Sequence, residues 1–96
     1  MLETTKTIVL NTPIESNDGK VRYEQIDLKE PVLIQVEQFY ETNDKSNPLA
    51  AMRLLISLVS GIPESVLKKM AISDFHQCQE FLDVFLDSKN FTTGSN

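Results

Sequence analysis

"LVSGIPESVLKKMAISDFHQCQEFLDVFL", residues Leu58 to Leu86, holds a helix stop, two helix starts and an apolar stripe. Gly61 is placed to end one helix through a left-handed cap, with Ile62 as the hydrophobic contact beyond it. Pro63 opens a short helix, PESVLKKM, with Glu64 in its first turn and Lys68-Lys69 in its last. That is the charge order the helix dipole favours. Ser73 then reads as the N-cap of a final helix, with Asp74 near its positive end. Phe75, Cys78, Leu82, Phe85 and Leu86 recur on one face of that helix, which predicts that Phe75, Leu82 and Phe85 are mostly buried.

Upstream, Asn47-Pro48 supplies an N-cap and a first-turn proline for another helix. Its stripe is Leu49, Met52, Leu55, Ile56 and Val59, widened by Leu54 and Leu58, so it reads as the central helix. Before it, after Pro31, the spacing of Leu33, Val36 and Tyr40, with Phe39 alongside, predicts a further helix. The β-branched run Lys6–Leu10 suits a strand. Asn11–Lys20 is rich in turn formers, with the tightest turn at Asp18-Gly19. Val21–Leu28 reads as a second strand. Its apolar residues change face between Tyr23 and Ile26, which suggests a bulge near Glu24-Gln25. Two strands are marginal alone, so they must pack on the helices. The expected fold is α+β: an N-terminal β-hairpin packed on a small bundle of about four helices. Residues 1–87 form the expected single domain, and the small polar residues of 88–96 an expected flexible tail.

Composition narrows the function classes. The chain has 96 residues and a formal net charge of −5. An acidic balance argues against general affinity for nucleic acid or anionic membrane, both of which need clustered Lys and Arg. The longest near-apolar run, Leu54–Val59, is far too short to span a bilayer. The N-terminus has no basic region followed by an apolar core, so cytoplasm is the expected compartment. Cys78 is the single cysteine, which excludes an internal disulfide. With His76 it makes only half of a tetrahedral metal set, so no metal is expected.

Three arrangements could carry chemistry, and each has a simpler reading. His76 and Cys78 lie about 200° apart around a helix axis, so they do not form a nucleophile–base pair. Cys78 is expected in the core and His76 at the surface. Asp83 and Asp87 share a helical face, but nothing nearby would raise one carboxyl into an acid/base role. "NDGK" is a hairpin turn and lacks the Gly-Lys-Ser/Thr pattern of a phosphate-cradling loop. No nucleophile–base–orienter set emerges, so an enzyme is not expected. Binding remains. The apolar stripe of the central helix is wide enough to serve both the core and a partner. The residues expected to bind a partner are Leu54, Leu58, Ile62, Phe81 and Phe85.

"SGIPESVLKKMAISDFHQCQEFLDVFL" resembles the C-terminal signature of the small tail assembly chaperones of Mu-like, contractile-tailed phages. The matching positions are Gly61, Ile62, Pro63, Val66, Met70, Ala71, Asp74, Phe75, Phe85 and Leu86. "TIVLNTPIESNDGKVRYEQIDLKEP" is similar to the family's opening, with Thr12 and Lys29 as mild departures. After Pro31 this chain has VLIQVEQF in place of the usual Gly-Asp-Leu helix start.

The resemblance implies no cofactor and no catalysis. It implies a cytoplasmic phage protein, absent from the finished virion, that binds the tape measure protein and keeps it soluble during tail tube assembly. It also implies, as a further partner, a longer product of the same gene made by programmed frameshift. Lys89-Asn90-Phe91 could be encoded by a slippery heptamer at the expected place. Homo-oligomerisation stays open. The alternative is a small adaptor or regulatory protein-binding domain of phage or mobile-element origin.

Overall fold

Among the described residues a hairpin is followed by four helices, an α+β arrangement. The structure is a computed structural model that describes residues 3–86. Strands β1 (Thr5–Glu15) and β2 (Arg22–Lys29) form an antiparallel two-stranded sheet. The helices are α1 (Leu33–Lys45), α2 (Pro48–Ser60), α3 (Glu64–Leu67) and α4 (Ile72–Leu86). Asp87 and the tail 88–96, including Lys89-Asn90-Phe91, lie outside the described residues.

The hairpin closes at Asp18-Gly19, as the turn chemistry predicts. Gly19 has φ +74°, and the Gly19 N–H donates to the Ser16 carbonyl at 2.9 Å. Asp18 accepts from the Ser16 hydroxyl and the Lys20 N–H, and these two bonds hold its carboxyl below the usual range. A Cβ at Gly19 would meet nothing within 4 Å. The cost of a side chain there is therefore backbone strain alone. Gly19→Val is expected to destabilise by about 1–3 kcal/mol in urea denaturation.

The first strand runs further than its sequence suggests. Asn11–Glu15, rich in turn formers, continues β1. Register explains why. Val9 pairs with Gln25 and Ile14 with Tyr23, so Leu10–Pro13 stand opposite Glu24 alone. The irregularity falls opposite the position where β2 changes face, but its extra residues are on β1. Ile8, Leu10 and Ile14 are buried, together with Ile26 and Leu28, and the offset places Ile14 opposite Tyr23, which is out of phase with Ile26 yet still packs on the core.

Those five residues meet the inner faces of α2 and α4. Met52, Leu55, Ile56 and Val59 come from α2; Phe75, Cys78, Phe81, Leu82 and Leu86 come from α4. Helix α1 packs outside α2 and contains no buried residue. Val36 and Phe39 lean on the core, while Leu33 and Tyr40 are exposed. The α1 start is capped without Asp: Gln35 Oε1 accepts from the Val32 N–H at 3.0 Å.

The caps expected at Asn47, Gly61 and Ser73 are found with one exception. Asn47 Oδ1 accepts from the Ala50 N–H at 2.8 Å, and Pro48 opens α2. Gly61 ends α2 in the left-handed region at φ +82°, with Ile62 buried beyond it. Helix α3 is shorter than expected and stops before Lys68-Lys69. The exception is Ser73. Helix α4 begins at Ile72, and the Ala71 carbonyl accepts from the Phe75 N–H at 3.0 Å. Ser73 thus lies inside the first turn and caps nothing, because the chain enters the helix two residues earlier. Asn47→Ala should cost about 1 kcal/mol. Ser73→Ala should stay within about 0.5 kcal/mol in the same calorimetric measurement.

Candidate functional site

Asp74 is the buried anchor from which the surface is arranged. It is 0% exposed, the one buried charged residue among those described. Its Oδ1 accepts from the Asn11 N–H and its Oδ2 from the Thr12 N–H, each at 3.0 Å. The offset in β1 takes Asn11 and Thr12 out of regular pairing with β2, and Pro13 has no N–H to satisfy. These part-buried N–H groups have no strand partner, and the carboxyl group at the start of α4 supplies the acceptors instead. Its position in the first helical turn also suits an acid. The sequence reading gave Asp74 only that second role. Burial of its side chain against β1 was not legible, because nothing local marks the strand irregularity it serves.

Cys78 follows one turn later and is also 0% exposed. Burial, aided by the neighbouring Asp74 charge, pushes its thiol up to about 12. His76 is exposed, so the two groups are separated as helix geometry predicts. An unfolded thiol ionises near pH 8.5. Above that pH the unfolded chain loses a proton that the folded chain keeps. This contribution to stability is therefore full below about pH 8.5 and falls as pH rises toward 12. At pH 8 alkylation of Cys78 should be slow in the native protein and fast in urea, as followed by mass spectrometry. Asp83 is pushed upward by burial, and its suggested partner Asp87 lies outside the described residues.

The residues expected to bind a partner do not form one exposed face. Ile62 and Phe81 are buried in the chain's own core. Leu54, Leu58 and Phe85 are half-buried, and Phe85 stacks edge-to-face on Phe81 with ring centroids 5.4 Å apart. Phe85 is thus less enclosed than its place on the stripe suggests, packing on the edge of the core.

Exposed apolar side chains lie at both ends of α2, and also at Val9, Val21, Tyr40 and Val84. At one end, Gln35 Nε2 donates to the Leu58 carbonyl, bringing the start of α1 beside the end of α2. Val32, Leu33 and Ile34 are exposed there, Leu33 at 73%. At the other end, Leu49 is 60% exposed and Ile72 58%. They border a cleft of about 150 Å³ floored by Leu67 and Phe75. Leu49 belongs to the α2 stripe by spacing, but its place in the first turn carries it past the core. Ile72 stands apart from the centre of the α4 apolar face, which is the signal that could have marked it. A larger open groove of about 750 Å³ lies along the hairpin, lined by Lys6, Lys29, Glu3 and Asp27 among others. Its charges are of mixed sign. Among the described residues, no cluster of His, Cys, Asp and Glu could hold a metal ion, and no helix is long and apolar enough to cross a membrane.

Apolar side chains left outside a complete core are characteristic of domains that bind other polypeptides. The family comparison makes that class specific. Residues 7–87 match the family described as "Phage tail assembly chaperone proteins, E, or 41 or 14", and the chain belongs to this family. Its role is accordingly that of a tail assembly chaperone. No curated protein and no solved structure matches the chain.

Proposed function

We propose that the chain binds the tape measure protein of a contractile-tailed phage and keeps it soluble while the tail tube polymerises around it. It acts in the host cytoplasm and leaves before the virion is complete. The observation that supports this reading is aliphatic surface at both ends of α2 on a chaperone-family fold. A long tape measure exposes helical apolar stripes until the tube encloses it. Exposed Leu33, Leu49 and Ile72 can cover such stripes transiently, with Leu54, Leu58 and Phe85 at their margins. Ile62 and Phe81 belong to the core and not to that surface. The acidic net charge of −5 keeps the complex soluble and self-repelling. Binding of this kind needs neither cofactor nor catalysis. A longer frameshift product would carry the same folded domain, since the expected slip site follows α4 in the chain.

Co-expression tests this. The tape measure protein encoded beside this gene should shift from the pellet to the soluble fraction when the chain is present, and the two should co-purify. An unchanged soluble fraction would contradict the proposal and favour an adaptor with a folded partner.

A further inference from the structure

We propose that the cleft between the starts of α2 and α4 takes one large aliphatic side chain of an amphipathic helix that carries a carboxylate about one turn away. This rests on the reading that the chain captures apolar helices, and it assigns that capture to one place. Nothing in the sequence pattern singled the cleft out.

Three observations carry it. The first is shape. The cleft's volume of about 150 Å³ is that of an apolar cavity able to take one benzene-sized group, close to the bulk of a leucine side chain. Its floor is already closed by Leu67 and Phe75, both buried, so a guest meets packed apolar atoms. The second is the lips. Leu49 and Ile72 are exposed on either side, and Met70 is half-buried beside them. Methionine adapts its shape to different guests, which suits a site that must hold successive segments of one long chain. The walls are helix starts, so a helix laid in the groove is the natural occupant.

The third is charge. The chain is acidic overall, yet this rim is basic. Arg53 and Lys68 line it. Arg53 Nε is held by Glu64 at 3.0 Å, which fixes the guanidinium at the edge of the cleft. The Lys68 ammonium has no acidic partner among the described residues. An acidic guest residue is repelled by most of this protein and accepted at Lys68. That contrast favours one register of the guest and disfavours helices with a basic flank.

The test uses the full chain, isotopically labelled, and two synthetic helices that share one leucine ridge. One carries Glu one turn from the central leucine; the other carries Lys there. Titration followed by NMR should move the amide signals of Leu49, Lys68, Met70 and Ile72. The Glu helix should bind about fivefold more tightly than the Lys helix. Lys68→Glu should reverse that preference. The double variant L49S/I72S should weaken both helices at least about tenfold, and its melting temperature should match the parent's because both positions are exposed. Shifts centred instead on Leu33 and Ile34, equal affinity for both helices, or no reversal with Lys68→Glu would each overturn the proposal. Solubilisation of the tape measure protein is scored separately. If it occurs while the cleft variants retain full binding, the chaperone reading survives and the cleft assignment falls. If the cleft prefers the Glu helix and no tape measure protein is solubilised, the cleft stands and that target is wrong.

Discussion

Asp74→Ala is expected to destabilise the fold by about 3–5 kcal/mol, with Leu82→Ala one of the two largest effects expected. Both carboxyl oxygens accept backbone N–H groups of β1 at 3.0 Å, and the side chain is 0% exposed. Alanine would remove two charge-assisted bonds and leave the part-buried Asn11 and Thr12 N–H groups without their acceptors. Bonds to a charged group are worth about 1.5–3 kcal/mol each, so their loss carries most of the cost. A domain of this size has a total margin of about 5–15 kcal/mol. The variant should therefore unfold at much lower urea, followed by circular dichroism, and should be recovered only in part from expression at 37 °C. Asp74→Asn is the informative control. Its amide oxygen can keep one bond while its NH₂ faces the other donor, so an intermediate loss of about 2 kcal/mol is expected. A change under about 1 kcal/mol for Asp74→Ala would mean that the strand is not held in this way.

Leu82→Ala is the second. Leu82 is 0% exposed and lies in the single cluster that joins hairpin, α2 and α4. Truncation removes buried carbon atoms and leaves a void that three elements cannot collapse together, a loss of about 3–5 kcal/mol. Phe85→Ala gives the comparison. Phe85 is half-buried and keeps part of its ring in solvent. Its loss should be about 1–2 kcal/mol, below the usual range for an enclosed aromatic. The two variants measured in parallel by urea denaturation test the assignment of α4 faces. A larger loss for Phe85→Ala than for Leu82→Ala would reverse it.

Much of the fold is legible in the residues because local rules and packing agree there. Asn47-Pro48 and Gly61 bound α2 by chemistry that acts within a few residues. Asp18-Gly19 fixes the hairpin turn in the same way. What was not legible depends on partners distant in sequence. Thr12 and Pro13 look like turn residues until Asp74, more than sixty positions on, takes up the N–H groups beside them. Ser73 looks like a cap because Ser commonly is one, yet the need to present Asp74 to β1 starts the helix at Ile72. The partner surface was harder still. Stripe residues such as Ile62 and Phe81 are apolar for the core's sake, whereas Leu49 and Ile72 differ from them only in where the helix starts carry them. Periodicity reports which residues share a face, and a small domain decides at its edges which of them stay uncovered.

The central claim is that this chain holds an aggregation-prone tail protein in solution, and light scattering reads that most directly. The tape measure protein would be diluted from denaturant into buffer with rising amounts of the chain. The account predicts that scattering falls to baseline at a fixed stoichiometric ratio, that a soluble complex of that ratio is recovered by gel filtration, and that L49S/I72S shifts the required ratio upward. Scattering that is the same with and without the chain, at every ratio, would contradict it.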